Sequence, residues 1–464
     1  MSAAPRIIVV GAGPAGVRAA QALVEAGIRP VVIDEGQRSG GQVYRRQPEG
    51  FTRSYTKLYG SEAGKAESVH RDFDALRERI DYRPDTLAWN LSAGVLHVVQ
   101  DGRAANLPFD ALLVCCGATD RLMPVPGWNR AGCYSLGASQ IALKAQACAI
   151  GSQVVFMGSG PLLYLVASQY VAAGATVVAV LDTAPKYPSL AALRGLFARP
   201  SLALRGLGLI RDLRKAGVVL RKEVVPLRIE GDAESGVSAV VVRSPHGEER
   251  FACDAVGMGW HLRSESQLAD LGRCEFVFDR VSRQWLPKAD ADGRSSVSGI
   301  YLAGDGVRIL GADGAEAAGR LAALAALADL DVAGARTRYQ AEAPSLHATL
   351  RIMARFREGL ARAFPWPHQY AARLPDDTVV CRCEVISAGE LRSCVGDKEA
   401  HEVNRAKAFS RVGMGRCQGR YCGHASAEII AAASGLPVEA VGRIRTQAPV
   451  KPLQMDTLEA EPNR

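Results

Sequence analysis

The chain has 464 residues, 48% of them hydrophobic and 22% charged, with a formal net charge of +8 and eleven cysteines. That length predicts about three domains, and the composition is that of a protein with a full core rather than a disordered or fibrous one. No run of about 18 uninterrupted apolar residues occurs, which excludes a membrane-spanning helix, and no nucleic-acid partner is expected. The first strand signal begins at Arg6 with no charged-then-apolar leader ahead of it. A reducing cytoplasm is therefore expected, where clustered cysteines mean metal or redox work rather than structural disulphides.

Residues 7–35 read as a strand, a glycine turn, an alanine-rich helix and a second strand. In "VVGAGPAG", Gly11, Gly13 and Gly16 stand where a tight turn, the approach of a pyrophosphate and close helix–strand packing each need a glycine. Pro14 and Ala15 open the helix, whose N-terminus attracts an anion. Asp34 follows Gly11 by 23 residues, where a carboxylate would meet a ribose hydroxyl, and Glu35 competes for that role. Three further motifs follow. "SGGQVYR" contains Gly41 and Gln42, "ALLVCCGATDRLMPVPG" turns at Gly117, and "GIYLAGDGV" ends a strand at Gly304 and Asp305. In this order they resemble the motifs of two-dinucleotide-domain flavoproteins of the glutathione reductase type. The resemblance implies FAD, a Gly41–Gln42 loop beside the flavin, and Asp305 on the ribityl chain. Disulphide reductases of that type carry a cysteine pair beside the flavin. The loop after Gly41 has none, and Cys115 and Cys116, adjacent at a strand end, face opposite ways and read as packing.

A second strand–helix–strand unit occupies 152–182. Gly158 and Gly160 are present, but Leu163 takes the third glycine position and would hold the helix off the strand, and Asp182 comes one residue late. This degraded fingerprint argues against NAD(P) and leaves a retained scaffold or a non-redox nucleotide. Residues 186–222 then hold nine Lys/Arg and one acid, Asp212, interleaved with Leu, Phe and Ile. Such a stretch predicts a solvated helical face, a partner interface, or contact with an anionic membrane surface. From 340 to 375 the pattern is helical and basic, and Pro365 and Pro367 end it.

Cys381, Cys383, Cys417 and Cys422 read C-x-C, 33 residues, C-x4-C. The first gap is tight for structural zinc, and all-thiolate ligation suits iron–sulfur clusters as well as zinc. Glycines around Cys417 and Cys422 leave room for backbone amides near cluster sulfides, and Arg382, Arg416 and Arg420 would offset the negative charge. The pattern resembles the [2Fe–2S] domain of bacterioferritin-associated ferredoxin. No convincing general base appears. His261 is the best lone candidate, and a lone histidine is more often structural, so catalytic residues stay unknown.

Taken end to end, "VVGAGPAG", "GGQVYRRQP", "GSGPLLYLVASQY", "YLAGDG" and "CRCE…GMGRCQGRYCG" resemble the large electron-transfer subunits of heteromeric bacterial amine dehydrogenases. These are the large subunits of the opine oxidases, of hydroxyproline dehydrogenase and of hydrogen cyanide synthase. The length and "EGQRSGGQVYRRQPEG" look most like the last group. The resemblance implies an α/β fold with two Rossmann-like, glutathione reductase-type domains and a small, mainly helical C-terminal iron–sulfur domain. The expected boundaries are an FAD domain at 1–126 and 252–335, a second, degraded domain at 127–251, a helical connector at 336–375, a [2Fe–2S] domain at 376–455 and a tail at 456–464. It further implies a D-amino-acid-oxidase-like partner that oxidises the substrate and, in some members, an FMN at an interface between large subunits and a small ferredoxin-like subunit. Electrons would pass to a quinone or other respiratory acceptor at the cytoplasmic side of the inner membrane. The expected activity is oxidation of glycine to cyanide and carbon dioxide. The alternatives are opine or hydroxyproline oxidation, a stand-alone NAD(P)H-dependent reductase, and a non-catalytic iron–sulfur docking module.

Overall fold

A computed structural model describes residues 4–51 and 53–454 and the backbone of 458–459. The strands Ile7–Val10 and Ala111–Val114 are apolar and buried at every position, as strands covered on both faces must be. They lie side by side in a five-stranded parallel sheet ordered Ile300–Leu302, Ala111–Val114, Ile7–Val10, Val31–Ile33, Asp81–Arg83. On one face the helix Pro14–Glu25 is trapped between the sheet and the helix Gly311–Asp329. Contact between these helices is backbone to backbone, since a Cβ on Gly319 would lie 1.9 Å from the Ala15 carbonyl oxygen. The antiparallel strands Thr86–Ser92, Val95–Gln100 and Arg103–Pro108 close the other face, with Leu91, Leu96 and Val98 packed on Ile8, Val10 and Leu112.

The chain leaves and re-enters this unit through one ribbon, Ala118–Asp120 paired antiparallel with Leu262–Ser264. Between these crossings stands a second parallel sheet ordered Val219–Arg221, Thr176–Asp182, Gln153–Ser159, Ala255–Trp260, Cys133–Ser135. The boundary expected at 252 is thereby corrected. Ala255–Trp260 belongs to the second sheet, registered along Val154–Ser159, and the return falls at the ribbon. A three-stranded meander at 225–252 precedes that strand, and nothing in its composition separates the end of a meander from the end of a domain.

The connector is the helix Ala335–Ala363, which ends just before Pro365. It crosses the helix Leu190–Leu196 at Gly359 over Gly195, where a Cβ on either glycine would come within 2.6 Å of the other's backbone. The C-terminal unit comprises the strand pair Val379–Cys381 and Ile386–Ser387 and the helices Ala388–Lys398, Val403–Ser410 and Gly423–Ser434. The first of these helices opens on a capping box of Ser387 and Glu390.

From Gly442 the chain runs back as a strap over the first unit. Asp270 takes Arg443, Arg445 and the Thr446 N–H. The Val450 N–H donates to the Trp89 carbonyl, and Lys451 pairs with Glu35. Leu458–Glu459 pair with Arg103–Ala104. The remainder of the tail expected at 456–464 lies outside the described residues. Among the described residues no helix is long and apolar enough to cross a membrane.

Candidate functional site

The first cleft forms at the carboxyl end of the first sheet. The helix Pro14–Glu25 begins there with no side-chain cap, leaving its first N–H groups for a ligand. Gly11 has φ +104, and a Cβ there would sit 2.5 Å from the Cys115 carbonyl oxygen; one on Gly16 would sit 1.7 Å from that of Gly11. The Gly41–Gln42 loop folds over this turn, with a Cβ on Gly41 only 2.9 Å from the Gly13 Cα. Gln42 is exposed and Gly117 half-buried at the rim, while Gly304 is buried below. Asp305 accepts the Leu310 and Gly311 N–H groups on one oxygen, at 2.8 and 3.0 Å, which leaves its other oxygen for a hydroxyl. It is surrounded by protein yet open to the cleft, and burial pushes its pKa up to about 6 against those two bonds.

Geometry separates the two acids that competed for the ribose. Asp34 accepts the Ala12 N–H at 2.6 Å on one oxygen and the Gly36 N–H at 2.7 Å on the other, so it braces the glycine turn. Burial raises its pKa nonetheless. Glu35 is exposed, and its partner is Lys451 on the strap. The glycine cradle, the uncapped helix and the two flanking carboxylates fit a dinucleotide.

The four cysteines come together as the spacing predicts. Cys381 ends a strand, Cys383 follows in the turn, Cys417 sits in the loop before the last long helix, and Cys422 is that helix's N-cap. None is in a disulphide. Cys422 keeps its proton, shared with Cys381 and Cys417; this sharing, with backbone N–H donors, holds Cys381 down at about 6 and Cys417 at about 5. Thiolates are the ligand form. Among the described residues no three such groups are disposed around a single ion. All-thiolate ligation suits a two-iron cluster as well as zinc. Gly415 leaves the space beside Cys383 clear, since its Cβ would lie 2.3 Å from that of Cys383. Of the arginines expected to offset the charge, only Arg420 is buried. Arg382 lies over the Trp128 ring at 5.1 Å, and Arg416 is exposed.

The thiolate loop is docked on the flavin-type unit. Gln267 donates to the Gln418 carbonyl at 2.9 Å, and Arg420 pairs with Glu265 at 2.8 Å. The Glu265 N–H donates to the Gly117 carbonyl at 3.0 Å. Arg283 with Glu428 and the Trp128 indole N–H with the Val379 carbonyl complete the joint. No motif marks Glu265. Nor does one mark Lys144, a buried ammonium on the Val43 carbonyl at 3.3 Å, whose pKa burial pushes down to about 8.

The second unit offers no free acid for a ribose at the end of its second strand. Asp182 is fully buried, with its oxygens on the Tyr164 hydroxyl at 2.6 Å and the Ala184 N–H at 2.9 Å. Leu163 does not splay the helix, as expected of it; it is fully buried in one cluster with Phe156 and Val180. His261 is structural. It stands at φ +63 with its ring bonded to the Phe364 carbonyl, and burial drops its pKa to about 4.

Residues 5–322 match the pyridine nucleotide-disulphide oxidoreductase family, and residues 379–432 match the BFD-like [2Fe-2S] binding domain. The A-type opine oxidase subunit of Rhizobium meliloti is 35% identical over 98% of this chain and 88% of its own length. Hydrogen cyanide synthase subunit HcnB of Pseudomonas aeruginosa is 30% identical over 97% of each chain. The crystal structure of L-proline dehydrogenase from P. horikoshii shares the fold, with a TM-score of 0.70 at 18% identity, covering 98% of this chain and 79% of that one. The first match indicates FAD and the second a [2Fe–2S] cluster; the glycine turn and Asp305 lie within the first span and the four cysteines within the second. This chain belongs to the pyridine nucleotide-disulphide oxidoreductase family, among the flavin-dependent oxidoreductase subunits that carry a [2Fe–2S] domain and are related to the A-type opine oxidase subunit and to HcnB.

Proposed function

We propose that this chain is the electron-transfer subunit of a heteromeric amine dehydrogenase, whose substrate is oxidised on a D-amino-acid-oxidase-like partner. The observation that carries this reading is the docking of the thiolate loop on the flavin-motif loop through Glu265 and Gln267, in a chain whose best candidate base, His261, is tied to a carbonyl. A bound flavin accepts electron pairs and a [2Fe–2S] cluster passes single electrons, so together they convert one currency to the other. The chain's own residues would hold the flavin through the glycine turn, with Glu35 at the ribose and Asp305 at the ribityl chain. Electrons leave to a quinone or other respiratory acceptor, optionally through a small ferredoxin-like subunit.

The favoured substrate is a secondary amine of the opine class, since identity to the opine oxidase relative is 35% and to the cyanide synthase relative 30%. Glycine is the second reading, supported by length and by the "EGQRSGGQVYRRQPEG" stretch. The purified two-subunit complex should reduce its flavin with octopine in a single turnover; reduction by glycine with release of cyanide would support the second reading. Amine oxidation by this chain alone would refute the partner model.

Peripheral membrane attachment belongs to the same proposal. Tyr187, Leu190, Phe197, Leu204 and Leu207 are exposed among the cations of 186–215. Arg199 and Arg205 are not available to lipid, being paired with Asp313 and Glu62. The complex should pellet with anionic vesicles and come off in high salt; a complex that stays soluble at low salt refutes the attachment.

A further inference from the structure

A buried excess of positive charge faces the thiolate loop at the joint between the two cofactor-binding units. Arg420 is 9% exposed, Arg263 12% and Glu265 17%, so one carboxylate serves two guanidinium groups. Arg420 is anchored by bonds to the Cys417 and Val450 carbonyls and to Glu265. Arg263 stands 3.9 Å from Glu265, and its Nη1 has no hydrogen-bond partner. Lys407, also buried, makes its hydrogen bonds among the described residues to the Arg445 carbonyl and the Gln447 amide oxygen, both neutral. The other buried acids of this region are engaged elsewhere, Asp270 by Arg443 and Arg445 and Glu428 by Arg283. An unbalanced buried cation is costly. Four thiolates holding a cluster supply the missing anion.

We infer that Arg263, Arg420 and Glu265 form a tuning triad that sets the reduction potential of the [2Fe–2S] cluster. The two arginines favour its reduced form, and Glu265 opposes them. Reduction adds one negative charge to the cluster, and a partly buried site screens that charge weakly. Removing a cation must therefore lower the potential, and removing the anion must raise it. Glu265 is a positioning residue rather than a catalytic one. Because its own N–H is bonded to the Gly117 carbonyl, the balance is fixed to the flavin loop and not to the outer surface of the cluster domain. The electron-transfer reading gives this tuning its use, but the potential is measured with no substrate, partner or acceptor, so either idea fails separately.

The test is a potentiometric titration of the purified holoprotein, following the paramagnetic signal of the reduced cluster, with iron and sulfide analysis of each variant. Glu265→Gln should show about tenfold more reduced cluster at a fixed potential and Arg263→Gln about tenfold less, the effect of one unit charge roughly 10 Å away at an effective dielectric of about 20. Glu265→Asp should titrate close to the parent protein. Should Arg263→Gln lose its cluster, Arg420→Gln serves as the cation arm. Shifts of the same sign in the anion and cation variants would mean disturbed packing, and unshifted potentials would mean no coupling; either overturns the triad. An unshifted Glu265→Gln with both arginine variants lacking iron overturns it too.

Discussion

Substituting Gly16 by Ala tests the dinucleotide cradle at its tightest point. The added Cβ would stand 1.7 Å from the Gly11 carbonyl oxygen and 2.9 Å from its carbon. Both neighbours are backbone, so no side chain can swing aside. The helix Pro14–Glu25 would have to lift by well over an ångström, and Gly319 of the helix Gly311–Asp329 blocks that motion from behind, its own missing Cβ lying 1.9 Å from the Ala15 carbonyl oxygen. Overpacking of a close-packed interior costs about 1–3 kcal/mol, and an obstacle made of backbone on both sides places this case at the upper end. For a domain of this size that is a fall in Tm of about 2–4 °C per kcal/mol. The turn that would hold the pyrophosphate is displaced with the helix, so the purified protein should also lose most of its FAD. The assay is thermal unfolding of the apoprotein beside the flavin content of protein from a flavin-replete host. Gly64→Ala is the control: Gly64 is a helical glycine with nothing within 4 Å of its missing Cβ, and it should gain about 0.5–1 kcal/mol. A Gly16→Ala protein with full flavin and an unchanged Tm would refute the reasoning.

Three further outcomes are expected. NADH and NADPH should fail to bleach the flavin on a catalytic timescale, because Asp182 is buried with both oxygens bonded; fast bleaching would restore the reductase reading. In the cluster-free protein, Cys417 should be alkylated at pH 6.5, since its pKa is held at about 5, while Cys115, which burial pushes up to about 12, stays intact; peptide mass mapping reads both. Asp270→Asn should cost about 3–5 kcal/mol at neutral pH by stranding Arg443. Burial alone would raise the Asp270 pKa, but Arg443 and the Thr446 N–H outweigh it and the net shift is down. Its stabilisation is thus present above the unfolded carboxylate pKa of about 3.9 and is lost as pH falls through the lower folded value. The pH dependence of Tm in acid should flatten in the variant.

The glycine turn and the cysteine spacing were legible because each encodes its own geometry within a few dozen residues. The choice between Asp34 and Glu35 was not. Two adjacent acids differ only in which one meets the backbone N–H groups of Ala12 and Gly36, and that depends on the path of the turn. Leu163 misled because the glycine rule assumes that the helix must approach a nucleotide closely. Without that demand a leucine packs well at the same place, fully buried beside Phe156. The Glu265–Arg420 contact spans 155 residues and joins two units, so no periodicity or motif announces it. A still longer separation, 416 residues, hides the return of Lys451 to Glu35.

The strap has a consequence for biosynthesis. Domains fold roughly as they leave the ribosome, N-terminal ones first. Here the side chain that meets Glu35, and the N–H that meets the Trp89 carbonyl, belong to residues 451 and 450. The nucleotide cleft of the first unit is therefore translated early and finished late, after the iron–sulfur unit has been made. A nascent chain stalled within that unit would lack the Lys451 and Val450 contacts to Glu35 and Trp89, and flavin captured then should be held less tightly. Retention of the organic cofactor thus reports on completion of the inorganic one's housing, and a protease cut near Gly442 should release flavin before it releases iron.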